Sequence, residues 1–571
     1  MIQKSDTSSK ALRDAATLLV LRDAPAGMEV LMLQRPQRET DHFRGAYVFP
    51  GGVVEDTDRS LYGFCAGLDD QTASGRLGLR EHGLAYFVAA IRECFEEAGL
   101  LFAYGPDGNL VDLDRFDSMH LATLLRELRT GETDLGEICS KLNLRLAVDK
   151  LILYSHWLTP PGIAKRFDTY FFLAAAPPAQ TALHDGNEAL QHRWLRPAEA
   201  LAHPDEFNLV TSTQRTLESI SSFGCTDACC QHALGLKDIR VTMMRLAHSA
   251  SGPRKLLPTD PAYAEVARLD PEGRGDASCE IEHGKAVRLS ERVIRITAPN
   301  GNMMTGPGTN TYLVGGGDCN EWAVIDPGPD VDEHVRNIIA AAPGPIRWIF
   351  VTHTHRDHSP AAAQLKSLTG ALLHGRLAQN PEWQDSTFQP DQIITHGDRF
   401  NLGEATTLRV AHTPGHASNH VCYLLEEEKT LFTGDHIMQG TSVVISPPDG
   451  DMAAYLSSLQ ALLQMNIEWL APGHGHLMDH PQKLIQMTIQ HRLMREMKVI
   501  ASLDELSPVD ADTLLERVYD DVPTYKHPIA KRSMMAHLIK LGNEGVALES
   551  NGHWRLIQRI GHIAASHKSN T

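Results

Sequence analysis

Eight consecutive residues, Val351-Thr352-His353-Thr354-His355-Arg356-Asp357-His358, constrain this chain more than any other stretch. Three histidines and an aspartate crowd into it. The run before it, Ile346-Arg347-Trp348-Ile349-Phe350-Val351, is apolar and β-prone, which predicts a buried strand. Ala361-Ala362-Ala363-Gln364-Leu365 after it predicts a helix start, with Ser359 as cap and Pro360 at the first position. The cluster therefore falls on a strand-to-helix loop, where the alternating His353, His355 and Asp357 point one way and His358 another. Imidazole and carboxylate suit Zn²⁺, and groups pointing apart suit two ions. A merely polar loop is the competing reading.

Three single residues extend the set. His416 follows Thr413-Pro414-Gly415, Asp435 follows Leu431-Phe432-Thr433-Gly434, and His474 follows Trp469-Leu470-Ala471-Pro472-Gly473. Each stands at a strand-like end, directly after a glycine. One such residue alone reads as structural; three of them downstream of the histidine-rich loop complete a set of seven candidate ligands.

These motifs resemble the metallo-β-lactamase superfamily, an αββα sandwich with metals at one edge. The resemblance implies that His353, His355 and His416 hold one zinc, that Asp357, His358 and His474 hold a second, and that Asp435 bridges them. Two such cations lower the pKa of a shared water and polarise an electrophile, and Asp357 can orient the hydroxide. His420 and His436 read equally as donors behind the ligands or as core or surface histidines. Gly308-Thr309-Asn310-Thr311-Tyr312-Leu313-Val314, Pro472-Gly473-His474-Gly475 and the tail together resemble β-lactamase-like endoribonucleases of mitochondria and their bacterial relatives. That subgroup also includes thioesterases acting on acyl-carrier substrates. Arg356 stands where relatives often carry another residue. In the tail, helical runs at 488–502, 512–519 and 532–541 and short strands at 545–548 and 554–556 read as a winged helix. Lys526, Lys531, Arg532 and Lys540 beside Tyr525 form a modest basic patch, either a solvated helix face or an RNA platform.

A second chemistry lies upstream. Strand-like runs at 15–22, 28–35 and 46–52 are broken by turns, 23–27 reading as a hairpin connection. The segment 85–100 is a strong helix stopped by Gly99, with Val88, Ile91, Phe95 and Ala98 on its apolar face. Glu93, Glu96 and Glu97 project together from the other face, and Arg92, four before Glu96, can orient it. Carboxylates crowded this way repel one another unless a hard divalent cation relieves them, and Mg²⁺ suits both oxygen ligands and phosphates. A solvated acidic face is the alternative.

Arg92-Glu93-Cys94-Phe95-Glu96-Glu97-Ala98-Gly99-Leu100 resembles the second half of the Nudix box, and Phe49-Pro50-Gly51-Gly52 resembles its start. The resemblance implies Mg²⁺- or Mn²⁺-dependent cleavage of a nucleoside diphosphate linked to another group. Glu93, Glu96 and Glu97 would be the metal ligands, with Glu93 and Glu97 catalytic. Gly52 and Arg92 stand much further apart than the box allows, and Asp58 takes the place of its first glutamate. An insert here, about 58–84, is a feature of peroxisomal coenzyme A diphosphatases. His156-Trp157-Leu158-Thr159-Pro160 and Arg166-Phe167-Asp168-Thr169-Tyr170-Phe171-Phe172 resemble that subgroup too. The coenzyme A signature is partial, Asp41 standing where a second arginine is expected.

At 571 residues the chain exceeds one ordinary domain. A net charge of −18 and a pI of about 5.9 exclude a general polyanion binder, so nucleic-acid contact needs a local basic patch. Nine cysteines without regular pairing point to a reducing compartment. Cys225, Cys229, Cys230 and His232 cluster, as a metal knuckle or as spare thiols. Residues 1–9 show no apolar signal core and no run is long and apolar enough for a membrane span, so the expected setting is cytoplasmic, with no membrane partner. Breaker-rich stretches at 251–254 and 270–275 suggest a boundary. The expected architecture is multidomain α/β: a Nudix α/β/α sandwich (10–235), a linker (236–286), a metallo-β-lactamase αββα sandwich (287–480) and a small winged helix (481–560). Two substrate readings compete. Both halves handle acyl-coenzyme A, one cutting the thioester and the other the diphosphate; or the second half cuts single-stranded RNA and the Nudix half takes a separate nucleotide. A non-catalytic, metal-stabilised scaffold is the third reading.

Overall fold

The computed structural model describes residues 12–557 apart from 38–43, 116–117, 162, 164, 184–189, 238, 317–319, 381, 383 and 404. Asp41, residues 1–9 and the expected last tail positions, 558–560, fall outside the described residues. The chain forms two compact units: residues up to Met244 with Glu272–Arg274, and Arg245–Pro271 with the residues from Gly275 onward.

The first unit is built on one mixed sheet. Its strands run in the order Val241–Met243, Ile152–Leu158, Arg166–Ala175, Leu12–Ala24, Gly27–Gln34 and Tyr47–Val48. Gly51–Val53 also pairs with Leu12–Ala24, and Gln191–Leu195 with Gly27–Gln34. Strand alternation splits the apolar residues between two faces. Ala16, Leu18, Val20 and Phe172 pack under the helix Gly83–Ala98. Leu19, Leu21, Phe171 and Leu173 pack on the other face with Leu217 and Ile220 of the helix Thr211–Ile220. This is the expected α/β/α sandwich. Every side chain of Gly83–Ala98 is buried except Glu96. The insert at 58–84 is no polar excursion, for its helix Asp70–Leu77 puts Ala73 and Leu77 into the same core. Cys229 is core with Cys230 packed against it, the His232 ring lies against Phe223, and Cys225 is exposed.

In the second unit two sheets face each other. The first runs Ala286–Arg288, Val293–Thr297, Asn310–Gly315, Trp322–Ile325, Ile346–Phe350, Leu372–Gly375 and Gln392–Ile393; the second runs Arg399–Asn401, Thr407–His412, Val421–Leu425, Thr430–Gly434 and Trp469–Pro472. Between them Tyr312, Ile325 and Phe350 meet Val410, Tyr423 and Phe432. Each such side chain contributes about 1.5–3 kcal/mol by burial. The helices Asp332–Ala341 and Ala361–Thr369 cover the outer face of the first sheet, and Met452–Leu462 covers that of the second. The layers are therefore αββα. The helix after the histidine-rich loop starts at Ala361 with Pro360 as its cap residue; Ser359, expected there, spends its hydroxyl on Asp385 at 2.8 Å. The helix Pro481–Leu506 leads into a winged helix made with Ala511–Val518, His527–Asn543 and a three-stranded sheet of Val509–Asp510, His553–Leu556 and Ala547–Ser550. Among the described residues no helix is long and apolar enough to cross a membrane.

The stretch 236–286, expected as a linker, is folded. Val241–Met243 extends the first unit's sheet, whereas the hairpin Arg245–Ser249 and Gly252–Leu256 and the helix Tyr263–Leu269 belong to the second unit. The segment buries a small apolar cluster of its own, with Ala247, Leu256, Ala262 and Val266, and a buried carboxylate fastens its helix to the sandwich. Glu265 takes two hydrogen bonds from Arg295, at 2.6 and 2.9 Å, and one from the Leu477 amide at 2.8 Å. Burial raises the Glu265 pKa, but Arg295 and then His476 outweigh it and hold the carboxyl at about 2.

Glu265→Gln leaves Arg295 buried without its counter-charge, which costs about 3–5 kcal/mol. The expected outcome is a clear fall in the urea midpoint of the full chain at pH 7. Since the folded pKa lies below the ordinary 4.5, this stabilisation is present above pH 4.5 and is lost as pH falls toward 2. The gap between wild type and variant should narrow across that window.

Candidate functional site

Seven side chains from four strand ends meet at one edge of the αββα sandwich. His353, His355, Asp357 and His358 follow the strand Ile346–Phe350; His416, Asp435 and His474 follow Thr407–His412, Thr430–Gly434 and Trp469–Pro472. They form two groups, in each of which the candidate ligand atoms lie within 4.8 Å of one another: His353, His355 and His416, and Asp357, His358, Asp435 and His474. His355 Nδ1 is 3.0 Å from His353 Nε2 and 3.1 Å from His416 Nε2. Asp435 faces both groups. Its Oδ1 lies 3.4 Å from His358 Nε2 and 3.2 Å from His474 Nε2, while its Oδ2 lies 3.7 Å from His416 Nε2. Simple alternation would put Asp357 with His353 and His355. A turn closed by the His358 amide on the His355 carbonyl, at 3.0 Å, redirects it, and Asp357 Oδ2 comes within 3.4 Å of His474 Nε2.

Oxygen atoms behind the rings fix their orientation, as is usual for metal-ligating imidazoles. His358 Nδ1 donates to Asp326 at 2.9 Å, His416 Nδ1 to the Val444 carbonyl at 2.7 Å, and His474 Nδ1 to the Gly308 carbonyl at 3.1 Å. Each bond turns an Nε2 lone pair inward. Asp326 also receives the Thr352 amide and hydroxyl, at 2.7 and 2.8 Å. Sequence reasoning saw Asp326 only as the close of a strand; its signal was an aspartate at the end of the strand adjacent to the histidine-rich one. Asn310, within the stretch that carried the subgroup resemblance, braces the His474 loop by donating to the Pro472 and Gly475 carbonyls at 3.0 and 2.8 Å. His420 and His436 are fully buried, not surface residues; His420 stacks toward His353 and His436, with ring centroids 5.0 and 5.6 Å away.

The two groups differ electrically. Burial drives His353 far below the usual imidazole value and His355 to about 4, so both are neutral at pH 7, the ligating form. In the second group burial lowers His474, but Asp435 and Asp357 outweigh it and raise it to about 9. Burial likewise raises Asp435, and His474 and His358 pull it well below the carboxylate range. His358 Nε2, His474 Nε2 and Asp435 Oδ1 are buried without a hydrogen-bond partner. Each such orphan costs about 1–3 kcal/mol. A divalent cation removes that cost, so the donor set fits one.

The glycines before the single ligands are required by contact. A Cβ on Gly473 would stand 2.7 Å from Asp435 Oδ1 and 2.8 Å from His358 Cε1. Gly434 has a φ of +46°, and a Cβ there would meet Thr352 Oγ1 at 2.5 Å.

In the first unit the box is closed across its insert. Arg92 donates to both oxygens of the fully buried Asp58, at 2.8 and 3.2 Å, to Glu93 at 2.9 Å and to the Val53 carbonyl at 2.9 Å. It reaches Glu96 at 3.5 Å, as its spacing suggested. The Gly51 amide donates to Glu97 at 3.0 Å, and a Cβ on Gly52 would fall 2.3 Å from Glu93 Oε1. Glu93 and Glu97 thus pack against the Gly-Gly strand, while Glu96 stays partly open. Burial pushes Glu96 up to about 7, Arg92 opposing and Glu93 reinforcing the rise.

Residues 304–474 match the family model of the Metallo-beta-lactamase superfamily, 69–209 that of the NUDT19 Nudix domain, and 511–554 that of the Beta-lactamase associated winged helix domain. An atrochrysone carboxyl ACP thioesterase of Aspergillus chevalieri is 32% identical over 278 residues, 46% of this chain and 86% of its own length. A beta-lactamase-like protein 2 homolog of Drosophila melanogaster is 32% identical over 276 residues, 45% of this chain and 90% of its own. A NUDIX hydrolase structure from Alicyclobacillus acidocaldarius aligns with a TM-score of 0.33 at 24% identity, over 39% of this chain and 97% of that one. The fold and the donor set thus define a hydrolase of families that bind divalent metals. The chain belongs to the metallo-β-lactamase superfamily, with a Nudix domain ahead of that fold and a winged helix after it.

Gly473→Ala and Gly52→Ala test the two sites separately. The first should lower the bound metal of the second unit, measured by metal analysis after gel filtration. The second should displace Glu93 and weaken divalent-cation binding at the box, read by calorimetric titration, with the metal content of the second unit unchanged.

Proposed function

We propose that this chain is a two-site hydrolase of acyl-coenzyme A-like molecules, cutting a thioester at a dinuclear zinc centre and a diphosphate at the Nudix box. One observation carries the zinc half: seven donors in two groups, with His358 Nε2, His474 Nε2 and Asp435 Oδ1 buried and without a hydrogen-bond partner. His353, His355 and His416 would hold one Zn²⁺, Asp357, His358 and His474 the other, with Asp435 between them. Bound there, the two ions supply a water of lowered pKa and a polarised carbonyl. Asp357 is the most open of its group, its side chain 27% exposed against 11% for Asp435 and 5% for His474. In this reading it orients the attacking water, while the braced imidazoles keep the reacting volume fixed. In the Nudix half Glu93, Glu96 and Glu97 would hold Mg²⁺ or Mn²⁺ against a diphosphate, Glu93 and Glu97 being catalytic and Arg92 orienting Glu93 and Glu96.

A relative named as an acyl-carrier thioesterase supports the thioester over the phosphodiester. The tail supports the same choice over single-stranded RNA. Lys531 is paired with Asp512, and Lys540 lies 2.7 Å from Glu496 and 3.0 Å from Glu544, so both lysines of the proposed basic patch on the helix His527–Asn543 are held by carboxylates. Exposed Tyr525 beside Lys526 is the feature that favours RNA.

The test is hydrolysis of acyl-coenzyme A and of single-stranded RNA by the full chain, by Asp435→Ala and by Glu97→Ala. Thioester loss should fall at least a hundredfold in Asp435→Ala alone, and diphosphate loss as far in Glu97→Ala alone, as expected for removing a metal bridge or ligand. RNA cleavage that depends on Asp435, with no thioester cleavage, would replace this reading with a ribonuclease.

A further inference from the structure

The ligand His416 is aimed by a carbonyl that its own sheet does not hold. Its Nδ1 donates to Val444 O at 2.7 Å. Val444 lies in the stretch 442–446, which has no regular secondary structure. No strand ladder or helix therefore fixes that peptide. Val443 and Ile445 on either side are buried in the core beneath the second sheet, where Ala536 of the helix His527–Asn543 also packs.

The polar groups flanking Val444 are held by the tail. Arg492, on the helix Pro481–Leu506 and 3% exposed, donates to the Val443 carbonyl. Its guanidinium also lies 5.4 Å above the ring of Tyr455, whose hydroxyl donates to the His436 carbonyl at 2.9 Å. On the other side Ser533 Oγ, on His527–Asn543, accepts the Ile445 amide at 3.2 Å. One tail side chain thus grips the peptide group before Val444 and another the one after it. The second of these peptide groups, held at its amide by Ser533, is the one whose carbonyl accepts from His416 Nδ1.

We propose that Arg492 and Ser533 are positioning residues for the first metal group, so that the winged-helix tail is a working part of the metal centre and not only an appended binding module. They act on the metal through Val443 and Ile445, then Val444 O, then the His416 ring. The proposal rests on the reading of His353, His355 and His416 as a metal set. It assigns the tail a task that needs no nucleic acid. It also predicts asymmetry: loosening the grip affects the group containing His416 and spares the one containing His474, whose brace comes from Gly308 and Asn310.

The experiment uses the full chain, Zn²⁺ alone as probe, and competition against a chromophoric chelator, which reads two binding steps. His416→Ala should reduce the stoichiometry at the second unit from two to one. Ser533→Ala should keep both ions but weaken one step about tenfold, the usual scale for losing an orienting partner. Ser533→Thr, which restores the hydroxyl, should recover it. Val518→Ala removes packing from the tail core without touching Val443 or Ile445, and should lower the melting temperature while leaving both steps unchanged. If His416→Ala still binds two ions, the metal reading fails at its base. If His416→Ala behaves as stated but Ser533→Ala binds as wild type, or Val518→Ala weakens zinc as much, the positioning role is overturned and the metal reading stands.

Discussion

The second unit depends on a closely packed volume into which the lone pairs of imidazoles and carboxylates are forced. Imidazoles and carboxylates delivered by four strand ends would repel or lie unsatisfied if each were free to choose its rotamer. Oxygen atoms behind them remove that freedom. Asp326 shows the economy of the arrangement. One carboxylate, at a residue with φ of +50°, ties the end of its own strand to the amide and hydroxyl of Thr352 and to the ring of His358. The register of two neighbouring strands and the direction of a ligand are thereby set by the same group.

Two further braces come from segments outside the sandwich. Glu265, ahead of it, grips the loop after His474 through the Leu477 amide; Arg492 and Ser533, behind it, grip the loop that aims His416. The sandwich brings the ligands together, and the flanking segments limit how far their loops relax. This follows from where each brace attaches, since ladder hydrogen bonds end with the strands and the ligands begin just beyond them.

Much of this was legible in the sequence, for a physical reason. Ligand residues at strand ends carry local signals: an apolar run, a glycine, then a histidine or aspartate. Gly473 is demanded by the ligands themselves, Asp435 and His358, while Gly434 and Gly415 are demanded by Thr352 and Tyr455 packed beside the ligand loops, so the motif follows from the close packing of the site. The box helix was readable likewise, since its apolar and acidic positions obey one period. The braces were not. Glu265 lies on a short helix between two breaker-rich stretches, and its partners Arg295 and Leu477 are distant in sequence; nothing local marks such a carboxylate as buried. Alternation alone misdirects Asp357, since it holds only while the backbone is extended and the chain turns after His355; the grouping with His358 and His474 that the resemblance implies is the one the side chains adopt. Ser359 was misplaced as a cap because its hydroxyl had a better partner in Asp385.

The salt bridge between Asp58 and Arg92 bears on how such a catalytic motif is to be defined. Its two ends are separated by helices that build their own share of the core, yet both guanidinium contacts of a compact box are made. The motif is a closed loop of contacts whose circumference is free to grow, since lengthening a loop whose ends are already fastened adds little entropic cost. In this chain the box is defined by a topology and not by spacing: a carboxylate, an arginine and a Gly-Gly strand joined in one ring.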